Sequence, residues 1–410
     1  MNRHDQPPGS PHPFAGAHLS RRSFLRAAGV GAGTVSLAAI LAACGNDEGG
    51  TTPAASPTFD WSKQKQAGEV TFVNWPLYLD KARVNGEVVH PSLERFMDTT
   101  GVQVEYLEQI ETYEDFHAKI LPLLEAGSPT GYDLITTGFP KWYPMLMQLG
   151  YLVELDHSLL PNFERYAGDA YKNLAYDPGN KFGIPYQSGI TGIGYNVDMT
   201  GGELTSLDAL FDPKYEGKVG MFRDTLDTPN MALLAIGVEP STSTQDDWNA
   251  AADKLIEQRD AGIVRQYFGQ GYIGALQAGE IAVSLAWSAD VLQAQKSGYP
   301  NLHFAVADEG GLLWTDITAI PNGAEHPLDA IMLMDWFYQP EIAAQLTSWI
   351  QNVSPVPEAQ QILRDQGDPV ADDPLVFPTE DMYAKMHAYR TLTPDEQETW
   401  DDTFLPVYQS

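Results

Sequence analysis

Residues 69–78 read EVTFVNWPLY: a short apolar run, Val70 to Val73, that breaks into Asn74-Trp75-Pro76-Leu77-Tyr78. β-branched and aromatic residues suit a pleated, half-buried surface, so the run predicts a strand. Next comes a helix over Pro91 to Thr100, with Pro in its first turn and Gly101 just past its end. Val102 to Tyr106 predicts a second strand. Tyr113 to Ala126 spaces Phe116, Ile120, Leu123 and Leu124 as one helical face and stops at Gly127. Tyr132 to Ile135 returns to strand. This βαβαβ order predicts an α/β fold with a mostly parallel sheet covered by helices.

Further on, the alternation restarts. Ile184-Pro185-Tyr186 leads into Ile193-Gly194-Tyr195-Asn196, then a strand at Lys218 to Phe222 and a helix near Pro229 to Ile236. Asp246 to Arg259 is helical, and Ile281 to Trp287 and Leu302 to Ala307 are strands. Pro327 to Ile350 reads as two helices broken at Pro340, with Trp336 in their core. Two α/β lobes of similar size are therefore expected.

The 410 residues are 43 % hydrophobic, enough for real cores, and carry a formal net charge of -31. That charge repels a phosphate backbone and argues against nucleic-acid binding. A single cysteine, Cys44, rules out internal disulfides and thiolate metal sites. Upstream of it, Ser20-Arg21-Arg22-Ser23-Phe24-Leu25-Arg26 precedes Ala27 to Ala43, which holds no charge. Basic, then apolar, then small is the order of an export signal, and this stretch is a poor permanent span. Arg21 and Arg22 resemble a twin-arginine signal, and Leu41-Ala42-Ala43-Cys44 resembles a bacterial lipobox in which Cys44 carries the lipid. Without residues 1–43 the net charge is -34. Residues 44–67 read as the lipidated Cys and a flexible tether rich in Gly, Ser, Thr and Pro.

Common catalytic signatures do not occur: there is no nucleophile elbow, His-Glu-x-x-His, P-loop or EF-hand loop. The His residues are scattered without ligand spacing, so no metal or cofactor is expected. Carboxylate pairs are plentiful but chance pairs are expected at this acidity, which leaves a glycan-active surface enzyme as the alternative of another class.

Four segments instead combine aromatic residues with acids or tight turns. They are Asn74-Trp75-Pro76-Leu77-Tyr78, Asp224-Thr225-Leu226-Asp227, Trp287 at its strand end, and Gly310-Gly311-Leu312-Leu313-Trp314-Thr315-Asp316. Strand C-terminal ends line the ligand crevice of open α/β sheets, and three of the four segments follow such an end. Acids at intervals with aromatic walls between them suit a methylene chain bearing ammonium groups. A buried ammonium needs a paired carboxylate, and ring faces attract the charge.

With these segments go Tyr132-Asp133-Leu134, Ile184-Pro185-Tyr186, Gly192-Ile193-Gly194, Lys214-Tyr215-Glu216-Gly217, Met231-Ala232-Leu233 and Gly279-Glu280, in that order. Together they resemble the spermidine/putrescine-binding proteins of bacterial ABC importers over most of residues 68–360. The resemblance implies a type II periplasmic-binding fold, with two lobes joined by hinge crossovers at Gly189 to Gly194 and Thr315 to Ala319 and ligand held in the cleft between them. Lobe 1 would be 68–192 plus 315–357, and lobe 2 would be 193–314 plus 358–410. It further implies a monomeric, non-enzymatic protein that passes its ligand to a membrane permease.

Carried over by residue, Trp75 and Tyr78 match aromatic contacts of the first lobe. Asp224 and Asp227 match two acid positions, Trp287 and Trp314 the aromatic walls, and Asp316 the carboxylate that grips an ammonium. Departures fall elsewhere. Pro76 replaces a residue that often bears a hydroxyl; Gly138-Phe139-Pro140 replaces a Ser-x-Tyr contact, leaving Phe139 as its substitute; and Ser354 aligns with a hinge Tyr. Within the same fold, a sugar, thiamine or ferric ion is the alternative ligand.

Overall fold

The computed structural model describes residues 59–174 and 176–409. Arg21, Arg22, Cys44 and the tether up to residue 58 lie outside the described residues. The end of the expected tether is not free, because Phe59 and Trp61 pack against the core of Phe72 and Phe337 and Trp61 Nε1 donates to the Glu154 carbonyl.

The predicted first half forms as expected. Strand β1 (Glu69–Asn74) pairs in parallel with β4 (Gln103–Glu108) and β5 (Leu134–Gly138). The intervening helix spans Pro91–Thr100 and buries Leu93 and Phe96; Gly101 ends it at φ 78°, its N–H donating to the Met97 carbonyl. Thr112 caps the Tyr113–Glu125 helix by accepting from the Asp115 N–H. A two-stranded hairpin, β2 (Ala82–Val84) and β3 (Glu87–Val89), stands apart from the main sheet.

The second half repeats the plan with β7 (Val219–Phe222), β8 (Val264–Phe268) and β9 (Val283–Trp287), all parallel. Between the halves run β6 (Gly183–Asn196) and β11 (Gly311–Ala319), antiparallel to each other. They make one continuous mixed sheet of order β4-β1-β5-β11-β6-β9-β7-β8, so the expectation of a mostly parallel sheet holds only within each half. β10 (Leu302–Ala305) pairs with β6, and β12 (Met386–His387) with β11.

β6 is buried at every one of its 14 residues and spans about 46 Å at about 3.3 Å per residue. Ile184 and Tyr186 pack in the first core with Phe72 and Phe337, and Ile193 and Tyr195 pack in the second with Phe222 and Tyr272. The glycines of β6 are extended, not left-handed. A Cβ at Gly189 would lie 2.1 Å from Trp314 Cζ2, and one at Gly194 2.6 Å from Ala286 Cβ. Close approach, not a positive φ, is what requires glycine here.

One boundary is corrected. Of residues 358–410, expected in the second lobe, the first part packs elsewhere: Ala359, Leu363, Val370, Ala371 and Val376 join the core of Phe72 and Phe337. Only the end, with Tyr389, Trp400, Phe404 and Val407, joins the second core. The amphipathic Glu358–Gln366 helix packs on the Pro340–Ile350 helix immediately before it, which fixes it to the first lobe. Pro327–Trp336 and Pro340–Ile350 are separate helices as predicted, and Trp336 is core.

Candidate functional site

A cleft of about 1130 Å³, part of it open to solvent, lies where β6 and β11 pass between the lobes. All eight residues singled out from the sequence line it: Trp75, Tyr78, Phe139, Asp224, Asp227, Trp287, Trp314 and Asp316.

Asp316 is 8 % exposed and sits in β11 opposite Gly138 of β5. Tyr113 Oη donates to its Oδ1 at 2.5 Å and Tyr78 Oη to its Oδ2 at 2.7 Å. Asn352 Nδ2 in turn donates to Tyr78 Oη at 3.1 Å. A carboxylate offers about four acceptor positions, so both oxygens keep capacity for a further donor. Burial pushes the carboxyl up to about 6, against the two tyrosines, which favour the charged form.

Tyr78 reaches Asp316 because the chain turns sharply after β1. Asn74 Oδ1 accepts from the Trp75 N–H, and Glu108 Oε1 accepts from the N–H of Leu77, which holds φ 61°. Trp75 meets the Tyr113 ring edge-on, centroids 4.8 Å apart. A side chain at Gly138 would strike Tyr113 Cε2 at 2.6 Å. Gly138 therefore admits Tyr113, whose hydroxyl reaches Asp316. Phe139 stacks on Tyr176 at 3.9 Å and 14°.

From the second lobe, Asp224 and Asp227 divide their work. Asp224 Oδ1 accepts the N–H groups of Leu226 and Asp227 at 2.7 and 2.6 Å, capping the Asp227–Ala235 helix. The side chain of Asp227 is held by Thr191 Oγ1 (3.1 Å), Trp287 Nε1 (2.9 Å) and Tyr389 Oη (2.5 Å). Burial raises both carboxyls, Asp224 further because Asp227 and Glu114 stand close to it. The Trp287 indole lies on Phe222, centroids 4.5 Å apart, and Trp314 fills the space left by Gly189. The Trp314 Nε1 and Asn352 Oδ1 atoms are buried without a hydrogen-bond partner.

Sequence reasoning passed over several lining residues. Asp290 accepts from Tyr272 Oη at 2.6 Å, and burial pushes it up to about 6. Its signal was its place in the first turn of the helix that follows Trp287. Tyr113 lay inside a predicted helix, and Tyr389 comes from a C-terminal tail with no local mark. Ser354 does not line the cleft; it is buried, its Oγ accepting from the Val356 N–H, and Asn352 lines the cleft instead. Six carboxylates and two cations, Lys141 and Arg223, line the cleft altogether. Among the described residues, no group of three His, Cys, Asp or Glu is placed to hold a metal ion. Nor is any helix there long and apolar enough to cross a membrane.

The profile of the family described as bacterial extracellular solute-binding protein matches residues 92–379. A relative in Haemophilus influenzae, spermidine/putrescine-binding periplasmic protein 1, is 30% identical over 298 residues, covering 72% of this chain and 79% of that one. The putrescine-binding periplasmic protein SpuD of Pseudomonas aeruginosa is 28% identical over 322 residues, 73% of this chain and 83% of its own. Among solved structures, the spermidine/putrescine substrate-binding protein PotD of Streptococcus pneumoniae superposes with a TM-score of 0.67 at 22% identity, over 83% of this chain and 98% of that one. The TpPotD lipoprotein of Treponema pallidum gives 0.69 at 17% identity, over 83% and 99%. At these identities the structures speak for the fold, which is the two-lobed type II periplasmic-binding fold. By the profile over residues 92–379 and the 30% identical relative, the chain belongs to the bacterial extracellular solute-binding protein family.

Proposed function

We propose that the protein is the extracytoplasmic solute-binding component of an ABC importer and that it captures a polyamine in the cleft between its lobes. The observation that carries this reading is Asp316, a buried carboxylate held by two tyrosines in a cleft that Trp75, Trp287 and Trp314 also line. Burying an ammonium costs several kcal/mol unless a carboxylate pairs with it, and Asp316 supplies one. Each ammonium near a ring face gains about 0.5–2 kcal/mol more. Asp227 and Asp290 offer further negative charge across the same space. The names of the Haemophilus and Pseudomonas relatives point to the same ligand class. A sugar would use the tryptophans but has no need of buried acids.

On this reading the lobes close about β6 and β11 around the ligand, and the closed form docks on a membrane permease. The process breaks no covalent bond. Cys44 would carry the lipid that tethers the monomer to the membrane after twin-arginine export. Mass spectrometry of the exported protein tests this: an acylated N-terminal Cys44 supports the anchor, and an unmodified one refutes it.

The deciding experiment is calorimetric titration with putrescine, spermidine and spermine in about 0.15 M salt, with glucose as control. Saturable one-to-one binding of a polyamine supports the reading. Heat that vanishes with salt, or no polyamine binding, overturns it.

A further inference from the structure

The cleft contains an ammonium of its own. Lys141 follows Phe139-Pro140 at the edge of the first lobe and reaches across to the second. Its Nζ lies 3.2 Å from both carboxylate oxygens of Asp401 and 3.4 Å from Thr225 Oγ1. It also stands 5.1 Å over the Trp142 ring centroid. Carboxylate, hydroxyl and indole face are the groups that would receive one amino group of a polyamine. Lys141 is only 18% exposed, so this ion pair is partly withdrawn from water.

Two sets of acids can be told apart in and beside the cleft. One surrounds the open space, with Asp316 bonded by Tyr78 and Tyr113 and with Asp290 bonded by Tyr272. The other lies about Lys141: Asp401, which is not among the cleft-lining residues, and Glu114, a half-buried carboxyl that lines the cleft and that the Lys141 charge helps to keep ionised. Asp224 feels Glu114 in turn. The second set has its counter-ion already, from the chain itself.

We propose, building on the polyamine reading, that Lys141 sets the chain length of the ligand. Its ammonium fills the subsite that a third amino group would need, so the cleft selects a diamine over a triamine. A longer polyamine must either displace Lys141 from Asp401 or place a second cation beside it, and both are unfavourable in a partly buried site. If Lys141 were only a latch between the lobes, its loss would weaken every polyamine by the same factor.

The test is calorimetric titration of the protein and of Lys141→Met with putrescine and with spermidine at the same salt. Lys141→Gln, which keeps a polar head, serves as a second variant, and circular dichroism checks that both fold. The unsubstituted protein should bind putrescine more tightly than spermidine. Both variants should raise the spermidine-to-putrescine affinity ratio by about tenfold or more, since a resident like charge has gone. An unmoved ratio, an equal loss for both ligands, or a native preference for spermidine overturns the chain-length role while leaving polyamine binding intact. Failure of the unsubstituted protein to bind either ligand overturns the polyamine reading, and the chain-length role with it.

Discussion

Tyr113 Oη donates to Asp316 Oδ1 at 2.5 Å although the two residues are 203 positions apart in the chain. The contact exists because Gly138, opposite Asp316 in the sheet, leaves room for the tyrosine ring. Tyr113 favours the ionised carboxylate, so Tyr113→Phe should raise the Asp316 carboxyl above its present value of about 6. The pH at which polyamine affinity is half lost should move up by roughly one unit. A calorimetric pH series on both proteins checks this, and an unmoved midpoint would separate Tyr113 from the site.

Affinity itself should depend on pH. Burial pushes both Asp316 and Asp290 up to about 6, and an ammonium ligand needs them charged. Affinity should therefore be flat above about pH 7.5 and fall below pH 6, by up to about a decade per pH unit for each acid. Near pH 6 binding should release protons, seen as a binding heat that varies with the ionisation enthalpy of the buffer. For the unliganded protein the sign is opposite. A carboxyl raised above its unfolded value of 3.8 adds stability at low pH that is lost as pH rises through about 6.

Asp316→Asn should separate binding from stability. Removing the partner of a buried ammonium costs about 3 kcal/mol, or two orders of magnitude in affinity. The same change removes a desolvated charge, so the unliganded variant should melt at or above the temperature of the native protein at pH 7. Titration and thermal unfolding of one preparation measure both, and native affinity in this variant would refute the site.

Gly189→Ala places a methyl 2.1 Å from Trp314 Cζ2, so the indole or the β6 backbone must shift. Overpacking of this kind costs about 1–3 kcal/mol. The variant should melt lower and bind more weakly. Gly202→Ala, with no atom within 4 Å of its added methyl, is the control and should match the native protein in both.

Trp287→Phe removes the indole N–H that reaches Asp227 Oδ2 at 2.9 Å. That bond favours the ionised acid, so the Asp227 carboxyl should rise further and the cleft should lose negative charge. Affinity should drop by about tenfold, an effect of roughly 1–2 kcal/mol for a hydrogen bond to a charged group. Titration at pH 7 and pH 8 checks this, with the deficit smaller at the higher pH.

The alternation of strands and helices, the helix at Pro91–Thr100 with its glycine stop, and the break at Pro340 were all legible in sequence, because each follows from local backbone preference and apolar spacing. The eight residues placed in one cleft were legible for a related reason: they fall in short aromatic and acidic stretches that stand out from their surroundings, most of them just after a strand end, with Trp314 and Asp316 inside β11. Local pattern did not show that β6 and β11 run unbroken through both lobes, since a strand buried on all sides has no alternation to mark its course. Nor did it show that residues 358–377 fold back on the first lobe, which is decided by which helix offers a complementary face. Tyr113, Tyr389, Asn352 and Lys141 reach the cleft by contacts spanning 84 to 274 positions. The sequence thus determined the elements, the acid–aromatic character of the cleft and its main carboxylate, all properties of short segments. Only the tertiary structure decided which hydroxyls hold that carboxylate, which acids stay unpaired and where the protein's own ammonium sits, because burial and pairing depend on neighbours distant in the chain.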